Sequence, residues 1–341
     1  MAIKPKEMRK IRKALQGCKR PLVFFDDDCD GLTSFLQIFQ FVGDGKGVCV
    51  KNSPELGEQY VRRVEEYQPD LIVVVDKPMI SQDFLDNVKQ RVIWIDHHGP
   101  QDRKGVEYYN PRLNDDSDNR PTSYWVYKIL KKSLWLAMVG TIADWHYPED
   151  IVKKFKRKYP GYLPKEITTA PAAIHESKLG DLIRVISFNL KGNITDTMTS
   201  VRTLSRIKEP SEIMEQTTPK GKFIYKKYSK MIEQYQGLLD AVKVTDEKVV
   251  VFTYSNNSYS FTSDLSNEIL YRHPDKVGII CREDQSEMKC SIRSTKTDIS
   301  KILKDSLENL NGSGGGHTNA CGCRIVVEDF DKLVQSFKDK L

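Results

Sequence analysis

The sequence predicts an α/β protein: a doubly wound parallel sheet, a helical connection, and then a smaller α/β unit. Three observations carry this. Apolar runs at Leu22–Phe25, Gly47–Val50, Leu71–Val75 and Val92–Ile95 alternate with helical stretches, at the spacing of βαβ units. From about Ile151 to Val244 the pattern becomes helical and charged. Strand-like runs return at Lys248–Tyr254, Lys276–Arg282 and Met288–Arg293. The expected organisation is one domain over residues 1–200, a helical link over 201–245, and a second domain over 246–341.

Taken in order, Pro5–Gly17 carries Met8, Ile11 and Leu15 at helical spacing. Leu22–Phe25 is a buried strand running into Asp26-Asp27-Asp28-Cys29-Asp30-Gly31, where Gly31 lets the chain turn tightly, and Leu32–Phe41 is helical. Leu56–Tyr67 reads as an amphipathic helix, Asp76 ends the Leu71–Val75 strand, and Ser81 caps the helix after it. After Val92–Ile95 the strands are expected to stop. Thr122–Lys132 and Leu134–Asp144 read as helices covering the sheet, and Lys222–Val242 is the longest helical candidate. In the last part Ser263–Tyr271, Asp298–Leu310 and Phe330–Leu341 are helical, Gly312–Ala320 is a glycine-rich loop, and Cys323–Val327 is a short strand.

At 341 residues and 39% hydrophobic, the chain can bury more than one core. The net charge of +6 suits a polyanionic partner without requiring one. Its lysine and arginine clusters read most simply as solvated helix faces. No apolar run approaches the ~20 residues that span a bilayer, so no membrane association is expected. Seven scattered cysteines with no signal peptide point to a reducing cytoplasm, and Cys321-Gly-Cys323 lacks the second half of a zinc site.

The chemistry concentrates where strands end. Val92–Ile95 stops on Asp96-His97-His98, a carboxylate and two imidazoles that are costly to desolvate unless a divalent metal engages them. Asp28 and Asp30 repel each other unless a cation sits between them, and Asp26 offers a third oxygen. Asp76 follows one strand and Asp144 ends an apolar helix. Singly, each is a cap or turn residue. Together they bring carboxylates and imidazoles to one edge of a parallel sheet, which suits two Mn²⁺ ions, or Mg²⁺, and phosphoester hydrolysis. In the second domain, Gly314, Gly315 and Gly316 expose backbone N–H groups that can approach phosphate. His317 adds a donor, and Arg293 could hold a phosphate bidentately.

Asp26–Ser34 resembles the first motif of the DHH phosphoesterase superfamily, in the form seen in RecJ-like exonucleases. Asp76 falls at the second motif, Asp96-His97-His98 is the signature, and Asp144 fits the fourth. Ser291-Ile292-Arg293-Ser294 and Gly314–Gly322 resemble parts of the accompanying DHHA1 domain. The resemblance implies that Asp28 and Asp30 each hold a metal, that Asp76 bridges both, and that His97 and Asp144 complete the shell. His98 would face the scissile phosphate, Asp96 would orient the histidines, and Arg293 and His317 would bind substrate across an interdomain cleft. One position departs: many members carry a histidine where this chain has Phe24, and Asp26 could substitute as a ligand. The implied activity is a cytoplasmic, Mn²⁺-dependent phosphodiesterase releasing mononucleotides from single-stranded DNA, RNA or short oligonucleotides, with a replication or repair protein as partner. Alternatives are a nanoRNase or cyclic-dinucleotide phosphodiesterase, and a replication-complex scaffold without catalysis. A soluble pyrophosphatase would lack the Gly314–His317 segment.

Overall fold

The computed structural model describes residues 2–51, 54–255 and 259–341, and the chain divides into two compact units, Met1–Tyr228 and Ser229–Leu341. The first opens with α1 (Pro5–Gly17), β1 (Pro21–Asp26), α2 (Cys29–Val42), β2 (Lys46–Val50), β3 (Glu55–Leu56), α3 (Val61–Tyr67), β4 (Leu71–Val75), β5 (Met79–Ile80), α4 (Gln82–Asn87), β6 (Val92–Ile95) and β7 (Glu107–Tyr109). Helices follow: α5 (Thr122–Leu130), α6 (Leu134–Ala143), α7 (Glu149–Lys158), α8 (Ala170–His175), α9 (Lys178–Leu190), α10 (Ile194–Leu204) and α11 (Ser211–Met214). The long α12 (Pro219–Ala241) carries the chain from the first unit into the second.

The main sheet of the first unit has the order β2-β1-β4-β6-β7, parallel throughout. β1 and β4 are buried on both faces, which is why they read as unbroken apolar runs. Leu22, Phe24, Ile72, Val74, Val92 and Trp94 point to one face and pack with Leu56, Val64 and Phe84. On the other face, Phe25 stacks on Phe35 of α2, ring centroids 5.0 Å apart. The chain leaves β1 toward β2 on one side and toward β4 on the other. The strand order therefore reverses between β1 and β4, and in such sheets ligands bind in the crevice at the carboxyl ends flanking that point.

Three expectations are corrected here. β7 adds a fifth parallel strand after the predicted last one; its three residues were too few for a periodic signal. Leu56–Tyr67 is not one helix. Leu56 pairs with Ile80, a 3₁₀ turn follows at Glu58–Tyr60, and α3 begins only at Val61, because Leu56 is claimed by the β3–β5 ladder. Gly31 lies inside α2 rather than in a turn. It is required for close approach, since a Cβ there would stand 2.7 Å from the backbone N and O of Asp26.

The second unit is built from β8 (Val249–Ser255), α13 (Thr262–Arg272), β9 (Val277–Asp284), β10 (Glu287–Ser294), α14 (Ile299–Leu307), β11 (Gly312–His317), β12 (Ala320–Val326) and α15 (Val327–Asp339). Its sheet runs β11-β12-β10-β9-β8, antiparallel except for β8 beside β9. Ile279, Ile292, Leu303, Ile325, Leu333 and Phe337 form the centre of its core, under α14 and α15. The glycine-rich segment is an edge strand, not a loop. Gly314 lies so close to β12 that a Cβ would meet that of Cys323 at 2.5 Å, so glycine allows the pairing that its low strand propensity had argued against. Cys281 and Cys290 face each other in register with Cα atoms 4.1 Å apart and are joined as a disulfide, which their sequence spacing did not signal. Among the described residues no helix is long and apolar enough to cross a membrane.

Candidate metal centre

The carboxyl edge of the parallel sheet brings Asp30, Asp76 and Asp144 together with His97 and His98. Asp28 caps α2, its side chain accepting from Gly31 N at 2.8 Å. Asp30 follows in the first turn and is buried; its two oxygens accept from the backbone N–H groups of Thr122 (2.7 Å) and Ser123 (2.9 Å) at the start of α5, and Ser123 Oγ donates to it as well. A carboxylate is well matched to the exposed N–H groups of a helix N-terminus. Asp76, also buried, accepts from Thr122 Oγ1 at 3.1 Å and holds a left-handed φ of 58°, an unfavourable backbone for a non-glycine residue of the kind found at functional sites.

His97 joins these carboxylates. Its Nε2 stands 3.5 Å from both Asp76 Oδ1 and Asp144 Oδ2. Its Nδ1 lies 3.1 Å from the carbonyl of Asn119, which fixes the ring with Nε2 toward the acids. Two sets of donor atoms come within 4.8 Å of one another: Asp76, His97 and His98, and Asp30, His97 and Asp144. His97 belongs to both.

His98 is held separately. Its Nδ1 is 2.7 Å from Asp96 Oδ1, and Asp96 Oδ2 accepts from His98 N, Tyr108 Oη and Asn110 Nδ2 at 3.1–3.3 Å. Burial disfavours the His98 cation, but the bond to Asp96 and that carboxylate's charge, with help from Asp28 and Asp26, outweigh it and raise the pKa. Asp96 thus orients one histidine and Asn119 the other, where a single carboxylate had been expected to orient both.

The electrostatics call for a cation. Enclosure, then the charges of Asp30 and Asp26, push the Asp28 carboxyl up to about 7, although part of it still meets solvent. Enclosure, Asp30 and Asp28 push Asp144 up to about 9, and the same causes raise Asp76 well above the carboxylate range. Crowded carboxylates and imidazoles of this kind fit a divalent metal. Asp26 stands apart: its Oδ1 is 2.9 Å from the wholly buried ammonium of Lys77, so that oxygen is already engaged by a cation. Phe24, the position that departs from the family pattern, is core, with its ring edge-on to Tyr60 and Phe84.

In the second unit the Arg293 guanidinium is turned inward. Nε donates to Asn267 Oδ1 at 3.0 Å, and Nη1 donates to the carbonyls of Ile292 and Cys321 at 3.0 and 3.1 Å. Burial lowers its pKa. Ser294 is buried, its Oγ accepting from Lys296 N and Thr297 N. Gly314, Gly315, Gly316 and His317 are exposed along β11.

Comparison with known proteins bears on the family and the fold. The N-terminal domain of the DHH family matches residues 21–157, and the DHHA1 domain matches residues 245–341. The chain belongs to the DHH–DHHA1 superfamily. Its fold is similar to that of RecJ from Thermus thermophilus in complex with Mn²⁺ (TM-score 0.67, 18% identity), covering 99% of this chain and 55% of that one. It is also similar to an exonuclease RecJ bound to manganese (TM-score 0.64, 16% identity, 100% and 95% covered). A pGpG-specific phosphodiesterase from Vibrio cholerae matches at TM-score 0.52 and 15% identity, with 94% and 98% covered. At such identities the likeness is one of fold. No curated protein sequence matches the chain.

Within this DHH domain, sequence reasoning missed Lys77, Asn119, Thr122 and Ser123. Lys77 could have been suspected as a lysine directly after a strand-end carboxylate. Thr122 and Ser123 read only as a helix start, and a backbone carbonyl such as that of Asn119 leaves no signal.

Proposed function

We propose that this DHH–DHHA1 protein is a divalent-metal-dependent phosphodiesterase that removes nucleotides from an end of single-stranded DNA, RNA or short oligonucleotides. The observation that carries the reading is His97 Nε2, equidistant at 3.5 Å from Asp76 and Asp144, in a pocket of carboxyls that burial and mutual repulsion keep from ionising readily. Asp28, Asp30, Asp76, His97 and Asp144 would hold two ions, Mn²⁺ by preference for the imidazole, with Asp76 shared. Such ions, when bound, activate water and stabilise the leaving oxygen of an in-line displacement.

The remaining roles belong to the chain. Asp96 fixes the His98 tautomer so that Nδ1–H points at the carboxylate and Nε2 is presented to the phosphate. The raised pKa suits His98 to donating a hydrogen bond or proton to a phosphate oxygen. Lys77 holds Asp26 and so anchors the loop carrying Asp28. The polyanionic substrate is supported by a groove of about 560 Å³ on the β2 side, lined by Lys46, Lys51, Arg63 and Arg202, with no carboxylate among the described residues lining it. Cys49 in its wall pairs with Phe25 in the β1–β2 ladder, so the groove lies beside the strand that ends on Asp26. The domain at 246–341 would bind the chain end through β11 and His317, after the catalytic domain at 1–200 and the link at 201–245.

End-labelled single strands of DNA and RNA of several lengths, digested with Mn²⁺ or Mg²⁺ and resolved as ladders, test this. Stepwise shortening that Asp76→Ala abolishes without unfolding is expected; turnover surviving in Asp76→Ala refutes the assignment. Cleavage confined to the shortest strands would select the nanoRNase-like alternative.

A further inference from the structure

We propose that Trp145 is a stacking platform for a nucleobase of the substrate beside the metal centre, an inference that rests on the phosphodiesterase reading above. Asp144 caps the C-terminus of α6, and the chain then folds back on the helix. Trp145 N donates to the Ile142 carbonyl at 3.0 Å, and His146 N donates to the Thr141 carbonyl at 3.1 Å. This pair of bonds is a Schellman motif, with Trp145 at its left-handed position, φ 59°. That position usually holds glycine, because any Cβ there crowds the backbone. A tryptophan must therefore be favoured by something else.

Full burial does not supply it. The other three tryptophans, Trp94, Trp125 and Trp135, are at most 1% exposed, whereas Trp145 is 47% exposed, with His175 as a ring neighbour at 6.4 Å between centroids. What distinguishes the position is its neighbour. Trp145 is one peptide, about 3.8 Å between Cα atoms, from the residue whose carboxylate lies 3.5 Å from His97 Nε2. The helix terminus that aims Asp144 into the acidic pocket thereby also puts a half-exposed indole at the next position of the chain. A nucleotide with its phosphate at the metal centre carries its base on a short tether. Aromatic stacking accepts any base, which suits an enzyme that must step along a strand without regard to sequence. The chemical class is thus a nucleobase, purine or pyrimidine, stacked on the indole.

The test exploits the exposure of this one tryptophan. The full chain, with Mg²⁺, is titrated with a phosphorothioate-linked single strand that resists cleavage and with an abasic strand of equal length, following intrinsic fluorescence. Quenching by the base-containing strand, absent with the abasic strand and lost in Trp145→Phe, is expected. In steady state, Trp145→Gly should raise KM for base-containing strands about 5- to 150-fold and Trp145→Phe much less, with abasic strands cleaved equally by all three. Trp145→Gly should melt at or above the wild-type temperature, since it relieves the left-handed backbone. An unchanged KM in Trp145→Gly, or a marked fall in its melting temperature, overturns the stacking role in favour of none or of packing. A wild type that neither binds nor cleaves any strand overturns the phosphodiesterase reading itself.

Discussion

Replacing Asp96 by asparagine keeps its shape and removes its charge, and the consequences can be followed bond by bond. Asp96 is 1% exposed and faces only donors: His98 N, His98 Nδ1, Tyr108 Oη and Asn110 Nδ2. An amide must turn its NH₂ toward the His98 ring on the Oδ1 side or toward His98 N and Asn110 Nδ2 on the Oδ2 side, so either placement breaks a bond that holds His98. A hydrogen bond to a charged partner contributes about 1.5–3 kcal/mol. If His98 acts on the phosphate, losing that orientation lowers kcat/KM by about 10- to 150-fold at ~1.4 kcal/mol per decade. The pH profile should move too. Burial alone would depress His98, and the bond to Asp96 is the main influence raising it, so in Asp96→Asn the limb reporting His98 shifts to lower pH. Single-turnover hydrolysis of a short strand across pH, with circular dichroism to verify folding, measures both. Activity within twofold of wild type and an unmoved profile would refute the role given to this pair.

The metal-free protein should be sensitive to rising pH. Asp28 and Asp144 are pushed from an ordinary value of 3.8 up to about 7 and about 9. Raised carboxyls contribute stability that is full below the ordinary value and is lost as pH rises through the folded ones. Mn²⁺ should therefore raise the melting temperature more at pH 8.5 than at pH 5.5, with calorimetry detecting proton release; a larger effect at the lower pH contradicts this. Gly31→Ala, whose Cβ would stand 2.7 Å from Asp26 N and O, should destabilise by about 1–3 kcal/mol in urea denaturation and weaken Mn²⁺ binding by displacing the loop. Arg202→Glu should weaken binding of long strands and reduce the salt dependence of log K by about one, leaving dinucleotide hydrolysis near normal, because the groove it lines would hold only the distal phosphates.

Much of the fold was legible because its central strands are buried on both faces. Leu71–Val75 and Val92–Ile95 announce themselves as apolar runs ending on Asp76 and Asp96, and parallel pairing brings those ends together. The candidate ligands could be named for the same reason. What was not legible depends on register or close approach. β7 is too short for periodicity, β11 pairs because its glycines let it lie against β12, and the Cys281–Cys290 bond exists because β9 and β10 set those residues opposite each other. The partners that tune the site escaped for a related reason. Asp30 is bound by the N-terminus of α5, far along the chain, and His97 is oriented by a main-chain carbonyl that no side-chain pattern encodes.

Crystals grown with Mn²⁺ and measured at its absorption edge test the central claim most directly. Two anomalous peaks about 3.5–4 Å apart, with Asp76 between them and His97 bound to one, are the predicted result. Saturating Mn²⁺ with no peak among Asp28, Asp30, Asp76, His97 and Asp144 would contradict it.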